Sequence, residues 1–483
     1  MGMPTTLLFI LGTLISCKSG AEDTASVGST ERPWKGGHIT TQAELSSIRG
    51  MHPHRGIAHL HSPWSHDACD GDGLPNGAPD EECLADLRIG LCSTAMDFAY
   101  LTDHPAYAAD QAWDELLLAR DNDTLLFDDE TGSPHAISID CDAVDGATIT
   151  EGHSVLWMPG FEDELMPVGL HQHASADLTE ADAIYNEASA DSIAAEQAAG
   201  GIVFMAHSEG KEIDTLQELV AAGLNGIEIF NLHAMFDPEK RTEDLGLDGT
   251  GWITDIQPFT SDDGTAEPDL FFLGVHQEQT VSIEKWDALH QTTSVIGLAG
   301  TDAHQNVLPI ELRDGDRGDS YRRMMRWFSN ILLVDATGAE GQTTPQDLDE
   351  ALSAGRLYVA FEVLGTPTTV DFHYETDAGD IVEMGSTVTG SGGESMGTLH
   401  VACPTLSASS PQGPNSPAIA VSVFRNGELW QEDCGNFAVA DAGVYRIRVD
   451  IVPHHLEPFL GDDPDPWIKT YPWVYSNPIY VNQ

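Results

Sequence analysis

Histidine and acidic side chains recur just after short apolar runs of this sequence. On a strand, residues two apart point to the same side, so His59 and His61 can share one metal ion. Asp302 and His304 repeat this two-residue spacing. The full set, in chain order, is His59, His61, His104, Glu162, His207, Asp302 and His304. Imidazole and carboxylate groups together suit zinc, manganese or iron, so the set predicts a metal centre.

The apolar runs that precede these residues alternate with helical patterns. The runs are 56–60, 97–101, 154–158, 201–206, 226–230, 294–299 and 330–334. The helix candidates between them include 108–119, 181–199, 213–222 and 283–290. Strand and helix in alternation predict an α/β fold with a parallel sheet or barrel. In a barrel the carboxyl ends of the strands form one face, where active sites lie, so the polar residues are expected to meet there.

The motifs and their order resemble those of the PHP (polymerase and histidinol phosphatase) family. The matching segments, between residues 52 and 310, are His59-Leu60-His61-Ser62 with Ser65, Thr102-Asp103-His104, Gly160-Phe161-Glu162, Ala206-His207 and Asp302-Ala303-His304. Two further segments are similar to the carbaryl-hydrolase-like (CehA-like) branch, namely Lys285-Trp286-Asp287 and the stretch 472–478. The resemblance implies a distorted (β/α)7 barrel and two or three divalent ions of zinc, manganese or iron.

The resemblance also implies how the ligands divide among the ions. The implied sets are His59, His61, Glu162 and Asp302 for one ion, Glu162, His207 and His173 for a second, and His104, His304 and His66 for a third. Asp67 is the alternative to His66, and His171 is the alternative to His173. Glu162, Asp302 and His207 are the expected catalytic residues. Glu228 and Asn231 are expected to brace the barrel mouth, and His233 and His276 are not assigned as ligands.

The implied reaction is hydrolysis of a small-molecule phosphate ester by a hydroxide that bridges the metal ions. Hydrolysis of a carboxyl or carbamate ester at the same site is the alternative enzyme activity, and a non-catalytic surface protein with structural metals is the alternative class. Five arginines lie between residues 313 and 326, and Arg317 and Arg322 are predicted to contact the substrate. The competing interpretation pairs these arginines with the nearby Asp314, Asp316 and Asp319.

The charge and the N-terminus indicate where the protein acts. With 78 acidic and 21 basic residues, the formal net charge is -57, which disfavours nucleic acid as a partner. An apolar run at 7–15 ends in Leu14-Ile15-Ser16-Cys17, which resembles a bacterial lipobox. Residues 1–17 are therefore predicted to be a lipoprotein signal peptide, with Cys17 lipidated and the protein held at the membrane of the cell envelope. Lys18 in the next position favours the outer membrane.

The remaining sequence divides into a tether and two domains. Residues 18–51 are predicted to be a flexible tether, 52–340 the metallohydrolase barrel with an insertion near 237–280, and 341–483 a C-terminal β-sandwich. Six cysteines besides Cys17 indicate disulfides in an exported chain. Cys403 and Cys434 are expected to pair with each other. The other four, Cys69, Cys83, Cys92 and Cys141, allow three connectivities.

Overall fold

The computed structural model describes residues 39–128, 131–149, 151–335, 343–389 and 396–482. Its strands are β1 (His52–Leu60), β2 (Phe98–Tyr100), β3 (Thr124–Phe127), β4 (Pro134–Asp140), β5 (Ser154–Met158), β6 (Met166–Val168), β7 (Ile202–Met205), β8 (Gly226–Asn231), β9 (Ile296–Ala303), β10 (Ser329–Val334), β11 (Leu357–Ala360), β12 (Pro367–Thr368), β13 (Phe372–Thr376), β14 (Ile381–Glu383), β15 (Thr387–Thr389), β16 (Gly397–Val401), β17 (Thr405–Leu406), β18 (Ala418–Arg425), β19 (Glu428–Glu432), β20 (Gly435–Val439), β21 (Gly443–Val452), β22 (Tyr471–Ser476) and β23 (Ile479–Asn482). Its α-helices are α1 (Glu81–Ser93), α2 (Pro105–Ala108), α3 (Leu178–Tyr185), α4 (Ala190–Ala198), α5 (Ile213–Ala222), α6 (Trp252–Asp255), α7 (Gln257–Thr260), α8 (Thr280–Leu289), α9 (Tyr321–Met325) and α10 (Pro345–Ser353).

A large, mostly parallel sheet forms the centre of this mixed α/β fold. Its parallel strands lie in the order β5, β2, β1, β9, β8, β7. Strand β6 pairs antiparallel with β7, and backbone hydrogen bonds from Phe161 to Pro167 and from Leu170 to Pro159 join it to the segment after β5. The sheet is thereby closed into a barrel. Its strands are almost entirely buried, as expected for parallel strands covered on both faces.

The structure differs from the predicted barrel in two places. The seventh predicted strand, β10, runs antiparallel to β1 and pairs with its first half, while β9 pairs with its second half. Both strands thus lie on the same side of β1, and β10 does not extend the parallel series. An antiparallel hairpin of β3 and β4 also joins the sheet beside β5. The hairpin was not predicted because the exposed apolar residues of β3, such as Phe127, do not alternate with polar ones.

Two predicted helices are shorter than the apolar periodicity suggested. The candidate at 181–199 is two helices, α3 and α4, because Ser189 takes an extended conformation and caps the second one through its side chain. The candidate at 108–119 is wrong, because the helical turn α2 ends at Ala108 and turns follow it. The candidate at 213–222 matches α5.

The C-terminal strands continue the barrel sheet across the predicted domain boundary at residue 341. Strand β11 pairs with β10 on one side and with β22 on the other, and β22 leads on to β21, β18 and β19. A separate antiparallel sheet has the order β14, β13, β16, β20. The region is therefore rich in strands, as predicted, but one of its sheets is hydrogen-bonded to the barrel.

Residues 39–51 belong to the folded unit, in contrast to the predicted tether. Leu45, Ile48 and Met51 are buried, and the buried Thr40 accepts a hydrogen bond at its carbonyl from Arg55. Burial of three apolar side chains offsets the entropy lost by ordering the segment. The rest of the predicted tether, the signal peptide and Cys17 lie outside the described residues.

Three disulfides join the six cysteines that remain in the described chain. The predicted pair Cys403–Cys434 is confirmed, and the other four cysteines form Cys69–Cys83 and Cys92–Cys141. No helix in the described ranges has both the length and the apolar character needed to cross a bilayer.

Candidate metal centre

Imidazole and carboxylate groups converge at the carboxyl ends of the parallel strands. Three groups of side chains each bring their ligand atoms within 4.8 Å of one another, which is close enough to bind a metal ion. The groups are His61, Asp67, His104 and His304; His59, His61 and Asp302; and His59, Glu162 and His207. They share His59 and His61, so they form one centre rather than three separate sites.

The Asp302 carboxylate lies in the middle of the centre. Its Oδ1 atom is 3.2 Å from Nε2 of His59 and 3.3 Å from Nε2 of His61. Its Oδ2 atom is 3.3 Å from Nε2 of His207 and 3.3 Å from Nδ1 of His233. Nδ1 of His304 is also 3.3 Å from Oδ1, so five imidazoles surround this carboxylate.

Two further carboxylates, those of Glu162 and Asp67, also face imidazoles of the centre. Glu162 Oε2 is 2.9 Å from Nδ1 of His104, and its Oε1 is 3.7 Å from Nε2 of His207. Asp67 Oδ2 is 3.3 Å from Nε2 of His304 and 3.6 Å from Nε2 of His104. The rings of His61 and His304 are stacked with their centroids 3.7 Å apart.

Unusual backbone conformations direct several ligands toward the centre. His59, His207 and Asp302 all have φ between 48° and 64°, a left-handed conformation that is uncommon outside glycine. Such conformations cost free energy and concentrate at functional sites. His104 is extended because it precedes Pro105, whose ring disfavours a helical conformation in the preceding residue.

Buried polar residues behind the ligands fix their orientation. Glu228 Oε1 is 2.6 Å from Nδ1 of His59, and its Oε2 accepts hydrogen bonds from the backbone of His207 at 2.8 Å and from Asn231 at 3.0 Å. The Ser65 hydroxyl lies 2.7 Å from Nδ1 of His61. Such contacts to the remote ring nitrogen leave Nε2 turned inward, as in histidines that ligate metals.

The donor set fits divalent cations. The Nε2 atoms of His59, His61 and His304 and the Oδ1 atom of Asp67 are buried, and within the described part of the chain none of them forms an aligned hydrogen bond, although carboxylates lie close to the three nitrogens. Buried polar atoms without partners are rare, and a bound ion satisfies them. Mixed nitrogen and oxygen ligands suit zinc, manganese and iron.

The imidazoles and carboxylates of this buried cluster shift one another's pKa values. Burial alone would lower the pKa of His104, but its contacts with Asp67 and Glu162 raise it to about 11. Burial likewise opposes ionisation of Glu162, yet the imidazoles around it lower its pKa to about 2. The carboxylates therefore stay ionised, which is the form that binds cations, and cation binding would displace protons from the imidazoles.

Two predicted ligands are not members of the three groups. His66 is exposed, with its ring centroid 4.9 Å from that of His104, and the adjacent Asp67 is the member of the group instead. His173 Nε2 is 2.9 Å from the carbonyl of Gln111, and its ring packs beside Trp113. The alternative, His171, is paired with Asp128 at 2.9 Å. The structure therefore brings neither His171 nor His173 into the three groups.

His233 takes part in the centre although it was not predicted as a ligand. It follows β8 directly, and its Nδ1 is 3.3 Å from Asp302 Oδ2. Its ring centroid lies 6.5 Å from that of His207. The rule that located the other ligands, a polar residue just past an apolar run, also applies to the run at 226–230 and would have found it.

Arg317 and Arg322, the predicted substrate contacts, are engaged in ion pairs with protein carboxylates. Arg317 binds both oxygens of Asp70 at 2.9 Å and also pairs with Asp319. Arg322 pairs with Asp316 at 2.7 Å and with the buried Asp269 at 2.8 Å. Burial would raise the pKa of Asp269, but Arg322 and its neighbours hold it well below its usual range. These arginines therefore have structural roles.

Comparison with known proteins identifies two solved structures of weak similarity. One is a two-domain protein containing a predicted PHP-like metal-dependent phosphoesterase from Bacteroides vulgatus, with 10% identity, a TM-score of 0.34, and coverage of 89% of this chain and 97% of that one. The other is PsfC from Pseudomonas syringae, with 13% identity, a TM-score of 0.30, and coverage of 62% and 89%. TM-scores this low do not assign a fold. No protein-family model and no curated protein matches the sequence.

Proposed function

We propose that this protein is a divalent-metal-dependent hydrolase of the PHP type that cleaves phosphate esters. The observation that carries the proposal is the convergence of three overlapping ligand groups at one end of the barrel, with buried Nε2 atoms that lack hydrogen-bond partners among the described residues. A structural site needs one closed ligand set. Shared ligands, as at His59 and His61, are instead typical of multinuclear catalytic sites.

The ligands proposed to hold the ions are those of the three groups, together with His233. Bound divalent cations would supply Lewis acidity, making water more acidic and neutralising negative charge on substrate oxygens. The chain itself contributes orientation: Glu228 fixes the ring of His59, and Ser65 fixes the ring of His61. Glu162 and Asp302 remain ionised, because the surrounding imidazoles outweigh the effect of burial and lower the pKa of each carboxyl group, and in this form both could bind the cations.

The preference for phosphate esters over carboxyl or carbamate esters rests on the motif resemblance. The CehA-like segments favour the second ester class. In the first segment, Lys285 Nζ donates to the backbone carbonyls of Ser208 and Glu209, which follow His207. Trp286 is buried beneath β9, where its indole N–H donates to the Val295 carbonyl, and Asn477 donates to Gly297. Both residues support the barrel wall, so they do not bear on which ester is cleaved.

Purified protein can test the activity directly. After chelator treatment and reloading with zinc, manganese or iron, it would be assayed with bis-p-nitrophenyl phosphate, p-nitrophenyl phosphate, p-nitrophenyl acetate and a naphthyl carbamate. We expect metal-dependent cleavage of a phosphate substrate and loss of at least about a hundredfold in Asp302→Asn. Cleavage of only the acetate or carbamate would establish the alternative enzyme. If no ester is cleaved in any metal form, the hydrolase proposal fails.

We also propose that the protein is exported and anchored by a lipid on Cys17. The three disulfides support export, since such bonds persist in oxidising compartments. Metabolic labelling with a fatty acid in a bacterial host would test the anchor. Label should appear in the native chain and be absent from Cys17→Ser, and equal label in both would contradict the proposal.

A further inference from the structure

Two histidines stand side by side on the outer face of the C-terminal sheet, separate from the barrel ligands. His373 on β13 is paired in register with His400 on β16. Their rings are parallel within 1°, with centroids 4.6 Å apart. The alternate residues of β13, Phe372 and Tyr374, are fully buried, so the two imidazoles lie on the side that faces away from the core.

Carboxylates surround this pair of imidazoles. Asp371 Oδ1 is 2.7 Å from Nδ1 of His373. Arg49 Nη1, which can only donate, also lies 3.0 Å from this nitrogen, so Asp371 and Arg49 both face the Nδ1 side of the His373 ring, remote from its Nε2. Glu375 Oε2 is 3.3 Å from Nε2 of His400. That Nε2 atom is buried, and the contact with Glu375 is not aligned as a hydrogen bond, so within the described ranges Nε2 makes none.

We infer that His373, His400 and Glu375 form a second binding site for a borderline divalent cation such as zinc, nickel or copper. Imidazole nitrogens are preferred by these ions, and a carboxylate completes a three-ligand set. Asp371 takes the role of the carboxylate that orients a ligating histidine from behind. The ligand atoms of these three residues are not within 4.8 Å of one another in the structure, so binding one ion would require the two partly exposed imidazoles to rotate toward it.

Arg49 does not compete for the proposed ligand atoms. Its guanidinium pairs with Asp371 and Glu383, and its Nη1 lies 3.0 Å from Nδ1 of His373, the nitrogen remote from the proposed ion. Two protonated imidazoles stacked at this distance would repel each other, whereas two neutral ones can share a cation. The site therefore links the N-terminal segment, through Arg49, to a metal position on the C-terminal sheet.

Zinc stoichiometry of the full-length protein tests the inference. Metal-free protein would be equilibrated with zinc by dialysis and its bound metal measured. His373→Asn combined with His400→Asn should bind one zinc fewer than the native chain while retaining ester hydrolysis. Asp302→Asn should lose zinc at the barrel but keep this equivalent. Thr398→Ala, on the same outer face, is the matched control and should bind as the native chain does.

Two milder variants keep the test decisive if the double variant does not fold. Asp371→Asn and Glu375→Gln preserve both histidines, and each should weaken the affinity of this one equivalent about tenfold. The inference is overturned if the folded double variant binds as much zinc as the native chain. It is equally overturned if both milder variants bind zinc with native affinity, or if Asp302→Asn removes all bound zinc.

Discussion

Glu228 Oε1 lies 2.6 Å from Nδ1 of His59 in the fully buried region beneath the metal centre. The other oxygen of this carboxylate accepts a hydrogen bond from the backbone N–H of His207. One side chain thus connects a ligand on β1 with a ligand that follows β7. Because His59 and His207 share a ligand group with Glu162, a displacement of Glu228 would alter two ligands of the same ion.

Replacing Glu228 with glutamine should weaken metal binding without removing a ligand. The amide has only one accepting oxygen, so either the His59 ring or the backbone N–H of His207 loses its acceptor and the orientation that this contact fixes. Metal affinity is expected to fall about 10- to 100-fold, as for other partners of ligating histidines. Titration of metal-free protein with zinc would measure the change. Asp163→Asn, a carboxylate near the centre without such a contact, serves as the control, and equal affinities in both variants would contradict the positioning role.

Gly300 makes room for the Glu228 carboxylate. A Cβ atom at position 300 would lie 1.8 Å from Glu228 Oε1, closer than any non-bonded contact allows. Gly300→Ala should therefore reproduce the loss of metal affinity seen in Glu228→Gln. A double-mutant cycle with Glu228→Ala isolates the cause, because the alanine substitution at 300 should cost much less once the carboxylate is gone. Additive effects of the two substitutions would rule out this explanation.

Asp67 and His66 offer a direct comparison between neighbouring residues. Asp67→Asn replaces a ligand-type oxygen that faces His104 and His304, so it should lower the number or affinity of bound ions. His66→Asn changes an exposed side chain and should leave metal content as in the native chain. Metal analysis of the two purified variants decides between the adjacent positions. The opposite result would restore His66 as the ligand.

The loop that carries Asp67 is fastened by a disulfide and by Arg317. Cys69 is bonded to Cys83 on α1, its backbone N–H donates to the His304 carbonyl, and Asp70 pairs with Arg317. Replacing Cys69 and Cys83 with serine should therefore reduce metal affinity at the Asp67 group as well as stability, the latter by about 2–5 kcal/mol.

The second disulfide of the barrel region is the matched control for this prediction. Serine at both Cys92 and Cys141 should cost stability in the same range and leave metal affinity unchanged. Zinc titration and thermal unfolding of both double variants provide the measurements. If both double variants lose metal affinity equally, the effect comes from general destabilisation and not from the Asp67 loop.

Sequence patterns predicted the residues at strand ends that the structure brings together, and they did not predict which loop residues join them. His59, His207 and Asp302 end apolar runs, so the strand-end rule for parallel sheets brings them together. Asp67 and His66 lie in an irregular loop, where neither spacing nor strand direction decides which side chain points inward. The same limit applied to His173, whose position depends on packing against Trp113.

The prediction that arginines after the Asp302 motif contact the substrate had a different physical weakness. A cluster of arginines after the Asp302 motif suggested anion binding, but a guanidinium binds a protein carboxylate with the same two-point geometry as a phosphate. Asp269, which binds three of these arginines, is more than forty residues away in the chain. Its proximity depends on how the segment 237–280 folds, and local sequence does not contain that information.

Glu196 should make stability fall as pH rises. It lies in α4, both its carboxyl oxygens are buried without a hydrogen-bond partner in the described part of the chain, and burial raises its pKa to about 9. The folded protein therefore holds a proton that the unfolded chain, with a pKa near the ordinary glutamate value of 4.5, releases. Between these two pKa values, stability decreases by up to about 1.4 kcal/mol per pH unit.

Glu196→Gln removes this dependence, because the amide resembles the protonated carboxyl group and does not ionise. Its melting temperature should exceed that of the native chain at pH 8, and the difference should shrink toward pH 5. Glu218→Gln, at an exposed position of α5, should show no such pH-dependent difference from the native chain. Thermal unfolding followed by circular dichroism across this range provides the test. A constant difference between Glu196→Gln and the native protein at every pH would mean that Glu196 does not take up a proton on folding.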